Sequence, residues 1–329
     1  TVWLQPKLGT DVALLNVMIN VIIQNGLINQ SFIEKRVEGG MQAFEELMRL
    51  VQPYTPQKVE EITGVPAEKT EFAAKLYGES ATAMIATGMG MSQQVTGTHN
   101  VFSLLNMMLI TGHIGKERCG IDPPRGQNNV QGATDVGCHP NMYPGYIPVT
   151  NADNRKKVAE VWGVPFESLS DKPGLTTVEI VKAAHDGKIK GLFIMGENPM
   201  ISDPNLNHTE EGLKKLEFLV VQDIFHTETT ALADVVLPAS AWAEKNGTFV
   251  NSDRRVLRVR KAVACPGDAR EDWKIIHEIA ARMGHPMPDY RDESEIFDEL
   301  ARVTPIMEGI SHRRLEAKGI QWPCPDSMH

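Results

Sequence analysis

Apolar residues in the first third of the chain recur every three or four positions, a spacing typical of helices that pack along one face. Residues 11–26 predict the first helix, in which an apolar face opposes a row of amides and Gly26 supplies the C-terminal stop. A short apolar run at 83–87 predicts one buried strand, which ends at Gly88. Further helices are predicted near residues 30–37, 42–52, 67–77 and 99–111.

The second half of the chain alternates short β-rich apolar runs with helical segments, which indicates a parallel sheet. The runs at 192–195, 218–221 and 234–237 predict its three strands. Ligands of such sheets bind outside the carboxyl ends of the strands. The predicted fold class is therefore α/β, with two parallel-sheet domains that resemble dinucleotide-binding domains and carry flanking helices.

Two helices of the second half carry start signals. Thr176 and Glu179 form a capping box, which opens one of them. Asp268 and Glu271 predict a second cap, with aspartate in the place of serine or threonine. The helix that follows is predicted to stop before Pro286. Its predicted buried face consists of Trp273, Ile276, Ile279, Ala280 and Met283.

The whole chain has 329 residues and a formal net charge of −9. Because phosphate binding leaves a basic footprint, this acidic balance argues against nucleic acid as a partner. No apolar stretch reaches membrane-spanning length, so direct membrane insertion is not expected. The four cysteines form no CxxC pair, and we expect no metal or iron–sulfur site from this chain alone.

The segment TGMGMSQQ, at 87–94, follows the predicted strand of the first half. Gly88 and Gly90 would let the backbone approach a ligand closely. The nicotinamide fingerprint GxGxxG fails, because Gln93 occupies its third glycine position. A plain tight turn is one interpretation. The other is a ligand site where Met89 packs on a heterocycle and Gln93 supplies hydrogen bonds.

Carboxylates follow two of the three predicted strands in the second half. Glu197 stands in GENP and Asp223 in QDIF. One carboxylate can bridge the two adjacent N–H donors of a guanine edge, and Ser202 and Thr227 can serve phosphate or ribose hydroxyls. Capping of the following helices is the competing explanation for both acids. Repetition of the pattern along one sheet edge favours ligand binding.

The glycine- and proline-rich segment 119–149 lacks periodicity, and a loop of this length in a compact protein is usually functional or disordered. Within it, the stretch PPRGQNNVQGATDVG places neutral amides, Gln127 among them, after Arg125. Amides cannot neutralise a guanidinium, which can then hold a small carboxylate in a bidentate fork. At an effective dielectric constant near 20 the attraction is roughly 4 kcal/mol before desolvation. A surface salt bridge or loop anchor is the competing interpretation.

An ordered series of segments carries a family resemblance: GMGMSQQ, TGHIGKERCG, PPRGQNNVQGATDVG with NMYPGY, IMGENP, VVQDIF, ADVVLPAS and REDW. Together they resemble the molybdopterin oxidoreductase superfamily and, within it, the catalytic subunits of formate dehydrogenases. The resemblance implies a molybdenum or tungsten ion held by two molybdopterin guanine dinucleotides, where formate is oxidised to carbon dioxide or the reverse. It implies that Arg125 orients formate, with Gln127 helping to shape the substrate pocket.

The resemblance also implies which residues bind the cofactor. Gly88, Met89, Gly90 and Gln93 would border one dinucleotide. A second set would line dinucleotide groups, chiefly the guanosine and pyrophosphate ends: Gly196, Glu197, Asn198, Ser202, Gln222, Asp223, Thr227, Ser240 and Asp272. Family members also have an N-terminal iron–sulfur region with the cysteine or selenocysteine metal ligand, and a C-terminal β-rich domain. Nothing here matches those parts, so an iron–sulfur cluster is expected only in the region that precedes this chain.

We expect residues 1–127 to form part of a first α/β domain with the cofactor and substrate loop, and 128–290 a second that binds guanine dinucleotide. Residues 240–268 are a candidate for a neighbouring domain, and 291–329 for the helical tail of a truncated domain. Since the chain opens without methionine, we expect it to be the central piece of a larger protein, inactive alone. Expected partners are formate or carbon dioxide and electron-transfer subunits of a larger complex, and the expected location is the cytoplasm.

Three alternatives remain open. One is another molybdopterin oxidoreductase that acts on an oxyanion such as nitrate, although that branch carries a similar loop without the arginine. Another is a non-catalytic electron-relay or scaffold subunit, which has no need of the RGQNNVQG loop. The last is a stand-alone guanine-nucleotide binder, which the lack of a phosphate-gripping P-loop disfavours.

Overall fold

The computed structural model describes residues 1–285 and 287–328. The chain divides into two compact units, Thr1–Gly126 and Gln127–His329. The boundary lies inside the polar loop, between Arg125 and Gln127. Both units contain parallel strands with flanking helices, so the predicted α/β fold class is confirmed.

The first unit is helical around a two-stranded sheet. Its elements are α1 (Asp11–Gln24), α2 (Gln30–Arg36), α3 (Gly40–Val51), α4 (Pro56–Thr63), α5 (Ala67–Glu79), β1 (Met84–Ala86), α6 (Met89–Ser92), α7 (Gly97–Thr111) and β2 (Gly120–Asp122). The predictions of α1, α2, α3, α5 and α7 are confirmed, as is a strand at β1. The expectation that this strand is buried is wrong, since Met84 is 61% exposed. The apolar pattern does not predict α4, although Thr55 caps it by accepting the Lys58 backbone N–H at 3.4 Å.

Helix α1 forms the core of the first unit and is buried on both of its faces. Val17 and Ile22 are fully buried, and burial of each such side chain contributes roughly 1.5–3 kcal/mol. Of the amides on the opposite face, Asn16 and Asn20 are also buried, which a one-faced helix would not require, whereas Gln24 is exposed. Asn20 is 7% exposed, and its Nδ2 donates to the Tyr54 carbonyl at 2.9 Å. That hydrogen bond lets a polar residue occupy the core.

The second unit contains two larger sheets and their helices. Its elements are α8 (Val130–Asp135), β3 (Met142–Tyr143), β4 (Ile147–Pro148), α9 (Ala152–Trp162), α10 (Thr177–His185), β5 (Gly191–Met195), α11 (Pro199–Ser202), α12 (Leu206–Lys214), β6 (Phe218–Asp223), β7 (Val235–Pro238), β8 (Gly247–Val250), β9 (Arg255–Val259), α13 (Asp272–Arg282), α14 (Glu293–Val303), α15 (His312–Leu315) and β10 (Ile320–Gln321).

The three predicted strands of the second unit form one parallel sheet in the order β5-β6-β7. Met195 is opposite Gln222, and Asp223 is opposite Pro238. The interior of the sheet is apolar, since Leu219 and Val221 on the central strand are buried. All three strands therefore end at one edge, as the strand–helix rhythm predicts.

The second sheet is antiparallel, in the order β10-β9-β8, and the sequence pattern does not predict it. β8 and β9 lie within residues 240–268, and β10 lies in the segment 291–328. Val256 on β9 packs with Phe297, Met307 and Leu315 in a separate apolar core. Residues 291–328 thus pack and pair with β8 and β9 within one compact unit.

One of the two predicted helix starts is confirmed and the other is wrong. The Thr176 backbone N–H donates to the Glu179 carboxylate at 2.8 Å. α13 begins at Asp272 with Glu271 as its N-cap, so Asp268 is not the cap. Its predicted face is also wrong, because Ile275 is the buried residue; Ile276 and Met283 are exposed. Pro286 lies outside the described residues.

Candidate functional site

The carboxyl edge of the parallel sheet in the second unit opens into a cavity of about 590 Å³. The cavity lies where β5, β6 and β7 end and where α13 begins. Five of the predicted cofactor-binding residues line it: Gly196, Gln222, Asp223, Ser240 and Asp272. Strand-end residues that are distant in sequence are therefore brought together, as expected for a parallel sheet.

Asp272 is the centre of the polar network in this cavity. Its Oδ1 accepts a hydrogen bond from Gln222 Nε2 at 2.8 Å, and its Oδ2 forms an ion pair with Lys245. The Lys245 ammonium also donates to the Ser240 carbonyl at 3.0 Å. Both carboxylate oxygens of Asp272 therefore have a donor within the chain.

Two buried polar atoms in the cavity wall lack a hydrogen-bond partner among the described residues. They are Gln222 Oε1 and Ser240 Oγ. Gln222 is 0% exposed and Ser240 is 3% exposed. Leaving such an atom unpaired costs about 1–3 kcal/mol. A ligand that offers an N–H to Gln222 and an acceptor to Ser240 would remove that cost.

The GENP turn lies beside the cavity, and its polar side chains are used within the chain. Asn198 Oδ1 accepts the hydroxyl of the buried Thr229 at 2.6 Å. Asn198 Nδ2 donates to the Glu228 carboxylate at 2.9 Å, and this hydrogen bond lowers the pKa of Glu228. Glu197 accepts the Ser202 hydroxyl. Asn198 thus joins the loops that follow β5 and β6.

The strand-end residues after β6 also make local contacts. The Asp223 carboxylate accepts the backbone N–H of Ile224 at 2.6 Å. The Thr227 hydroxyl accepts the backbone N–H of Thr230 at 3.1 Å. These contacts lie within the turns that follow the strands. The competing explanation by helix capping does not hold for Glu197, since Asn198 is the N-cap of α11. Of Asp223 and Thr227, only Asp223 also lines the cavity.

In the first unit, β1 and β2 are parallel, with Ala86 opposite Asp122. The Thr87 backbone N–H extends the pairing by donating to the Asp122 carbonyl at 3.0 Å. The glycine turn, with Gly88, Met89, Gly90 and Gln93, follows β1, and Arg125 follows β2 by three residues. Parallel topology therefore places the turn and the arginine at the same edge of this sheet.

The glycine turn is open and exposed. A Cβ added at Gly88 or Gly90 would meet nothing within 4 Å. Met89 is 63% exposed, and Gln93 is exposed. The buried hydroxyl of Thr87, one residue before the turn, has no hydrogen-bond partner among the described residues. Packing inside the unit does not require these glycines, which fits a surface left clear for a ligand.

Residues 1–282 match the molybdopterin oxidoreductase family over most of the chain. The chain belongs to this family. It is 48% identical over 330 aligned positions to the F420-dependent formate dehydrogenase subunit alpha of Methanocaldococcus jannaschii, covering 100% of this chain and 47% of that relative. It is 39% identical to the assimilatory nitrate reductase catalytic subunit of Bacillus subtilis, covering 99% of this chain and 46% of that relative.

Among solved structures, the fold is similar to acetylene hydratase from Pelobacter acetylenicus, with a TM-score of 0.73 and 23% sequence identity. The match covers 97% of this chain and 45% of that one. This likeness is one of fold alone. The chain spans about half the length of the relatives it matches.

The polar loop of this molybdopterin oxidoreductase is held in part by its own amides. Asn129 Oδ1 accepts the Val250 backbone N–H at 2.9 Å. Gln131 Nε2 donates to Asp135 Oδ1 at 2.8 Å. Arg125 and Gln127 are both exposed. Arg125 also has an interaction partner. Asn129 and Gln131 therefore shape the loop itself, while the neighbouring amides Gln127 and Asn128 are exposed.

The described residues contain no group of three or more histidine, cysteine, aspartate or glutamate side chains arranged to hold a metal ion. Over the same residues, no helix is both long and apolar enough to cross a membrane.

Lys245 and Trp242 are among the residues that line the cavity and that sequence reasoning did not assign to the site. Trp242 is 60% exposed, and Lys245 is paired with Asp272. Both follow the PAS segment after the third predicted strand, and that position is the signal that could have found them. The contact of Lys245 with α13 depends on tertiary packing, which the local pattern does not encode.

Proposed function

We propose that this chain forms the central part of a formate dehydrogenase catalytic subunit. The reaction is the reversible oxidation of formate to carbon dioxide, with release of one proton and two electrons. The whole-chain similarity to a formate dehydrogenase alpha subunit supports the proposal, and it exceeds the similarity to the nitrate reductase. Electron-transfer subunits as partners and a cytoplasmic location belong to the same proposal.

The cofactor would be molybdenum or tungsten held by two molybdopterin guanine dinucleotides, and residues in both units fit such a group. In the second unit, Gln222 Oε1 and Ser240 Oγ are buried and unpaired among the described residues. In the first unit, the glycine turn leaves space that no side chain of the unit fills. When bound, the cofactor would supply the centre that accepts the electrons of formate.

The proposed holding residues fall into two sets by unit. Gly88, Met89, Gly90 and Gln93 would border one dinucleotide. Gly196, Gln222, Asp223, Ser240 and Asp272, which line the cavity, would hold the guanosine and pyrophosphate ends. Glu197, Asn198, Ser202 and Thr227 would maintain the adjacent turns or reach the same groups.

Arg125 is the residue proposed to bind formate. Its guanidinium can form two parallel hydrogen bonds with a carboxylate, which fixes both the position and the rotation of the anion. An exposed guanidinium can exchange a protein partner for a substrate anion. Gln127 would help shape the substrate pocket. The observation that carries this assignment is the parallel pairing of β1 and β2, which puts Arg125 at the edge where the glycine turn lies.

The test is the Arg125→Ala substitution in the complete enzyme. We expect kcat/KM for formate to fall at least 100-fold with unchanged metal and pterin content, because the anion loses its fork. Arg125→Lys should remain poor, since an ammonium provides no planar pair of donors. Formate-dependent dye reduction measures the rate. Arg118→Ala, which removes a surface arginine that is 82% exposed in the same unit, should behave as wild type.

Near-normal formate turnover by Arg125→Ala would refute the role of this residue. A complete enzyme that reduces nitrate and leaves formate untouched would refute the proposed function. Absence of both metal and pterin from the purified enzyme would point to a scaffold subunit.

A further inference from the structure

The state of Asp272 restricts how a ligand can use the cavity of the second unit. Gln222 occupies one carboxylate oxygen and Lys245 the other. A ligand that needs this carboxylate must therefore displace a donor. Gln222 is fully buried on the central strand, whereas the Lys245 side chain is 29% exposed and lies outside the helices and strands. Lys245 is the partner that can leave.

The neighbouring unpaired atoms indicate what would replace it. Gln222 Oε1 accepts and Ser240 Oγ donates, and both are buried without partners among the described residues. Once Lys245 leaves, the cavity wall would offer two acceptors, Asp272 Oδ2 and Gln222 Oε1, and one donor, Ser240 Oγ. Asp272 contacts Gln222, and Lys245 contacts Ser240, so these groups are neighbours. A 2-amino-4-oxopyrimidine edge has the complementary set: a ring N–H, an amino group and a carbonyl oxygen.

We propose that Lys245 is a displaceable counter-ion, which neutralises Asp272 in the empty cavity and is released when a 2-amino-4-oxopyrimidine edge binds. The inference rests on the proposed function, because guanine and pterin, the two heterocycles of the proposed cofactor, both carry this edge. Lys245 acts through Asp272 and is a positioning residue. Lys245 pairs with the Asp272 carboxylate when no ligand does, and it competes with an incoming ligand for Asp272 Oδ2.

Competition of this kind gives a neutral ligand an unusual dependence on salt. A neutral heterocycle binds without an ion pair of its own, so salt has little direct effect on its Coulomb energy. Salt weakens the Lys245–Asp272 pair, since the Debye length shortens from about 10 Å at 0.1 M to about 3 Å at 1 M. The ligand should therefore bind more tightly at the higher salt concentration, and removal of the lysine charge should abolish the difference.

The experiment measures binding of guanosine and of pterin to the complete enzyme, prepared without cofactor, by isothermal titration calorimetry at 0.1 M and 1 M sodium chloride. For the probe that binds, we expect the wild-type Kd to fall about three- to tenfold at high salt. Lys245→Met should bind about tenfold more tightly than wild type at low salt, with no further gain at high salt. The probe that shows this behaviour identifies which heterocycle the cavity takes.

Lys261→Met is the matched control. Lys261 pairs with Glu271, next to Asp272, at 3.7 Å, but it does not line the cavity. This variant should keep the wild-type affinity and salt response. Lys245→Gln retains a donor without the charge and should fall between wild type and Lys245→Met. If Lys245→Met does not give a cooperative thermal melt, Lys245→Gln and the wild-type salt response decide the question.

Weaker or unchanged binding by the folded Lys245→Met enzyme would overturn the proposal, as would failure of every variant to bind either probe. Formate turnover by the complete enzyme with its cofactor is measured separately. Turnover together with salt-independent probe binding would overturn the counter-ion role alone. The expected binding pattern in an enzyme that does not oxidise formate would overturn the proposed function alone.

Discussion

At the scale of single residues, Asp135 is a buried carboxylate of the second unit with three hydrogen-bond donors. It is fully buried and accepts hydrogen bonds from Gln131 at 2.8 Å, Tyr146 at 2.6 Å and Trp322 at 2.7 Å. These donors come from the polar loop and from the last part of the described chain. One side chain therefore joins two parts of the polar loop to the last part of the described chain.

Asp135→Asn tests this connection with almost no change in volume. In the variant, an amide nitrogen would face one of the donors that a carboxylate oxygen of Asp135 accepts now, so that hydrogen bond is lost. Hydrogen bonds to a charged acceptor contribute about 1.5–3 kcal/mol each. We expect the free energy of unfolding to fall by about 2–4 kcal/mol, measured by urea denaturation. Asp289→Asn, at an exposed position, should stay within about 0.5 kcal/mol of wild type. Equal stability of the two variants would contradict the assigned role of Asp135.

At the scale of elements, glycines at the two ends of one short segment have opposite roles. Gly88 and Gly90 form the open turn, whereas Gly97 begins α7 against α6. A Cβ at Gly97 would lie 1.9 Å from the Ser92 carbonyl oxygen, and one at Gly88 or Gly90 would meet nothing. The same substitution should therefore act on folding at one position and on ligand binding at the others.

Gly97→Ala should lower the stability of the chain by about 1–3 kcal/mol, since the α6–α7 contact must open. Gly88→Ala and Gly90→Ala should change stability by less than about 0.5 kcal/mol, and yet reduce the molybdenum or tungsten and pterin content of the complete enzyme several-fold. Thermal denaturation and metal analysis provide the two measurements. Full cofactor content in both turn variants would show that the turn does not approach the cofactor closely.

The elements that the sequence predicts well are those whose signal is local. The strand–helix rhythm identifies β5, β6 and β7, and with them the edge where Gln222 and Asp272 meet. The β8-β9-β10 sheet escapes prediction because Ile320 pairs with Val256 across a long stretch of chain. Lys245 escapes for a similar reason, since its role depends on where α13 packs. Burial of Asn20 on the polar face of α1 is also a tertiary effect.

At the scale of the whole molecule, each compact unit buries one histidine among the residues that the structure describes. His113 is 3% exposed, and His312 is 6% exposed. Burial lowers the pKa of His113 despite a contact with the Tyr77 carbonyl at 3.1 Å. Burial, with the nearby Arg258 guanidinium, lowers the pKa of His312. Both histidines therefore favour the neutral form in the folded chain.

Mild acid should destabilise both units. A histidine with a lowered pKa in the folded state contributes its full stability above the unfolded value, near 6.5, and loses it as the pH falls towards the folded value. We expect the melting temperature to fall between pH 7 and pH 5, measured by calorimetry. His113→Gln should reduce the pH dependence, whereas His99→Gln, at an exposed position, should not. A melting temperature that is constant over this range would contradict the expectation.

The pairing of β1 with β2 has a consequence for how members of this family can vary. Arg125 and the glycine turn follow the same edge of this sheet because the crossover through α7 returns the chain in parallel register. Deleting one residue from that crossover would slide the following backbone by about 3.3 Å and reverse the facing of its side chains. On the proposed role of Arg125, substrate preference can change by replacement within the loop, while insertions and deletions in the crossover should be rare among functional homologues.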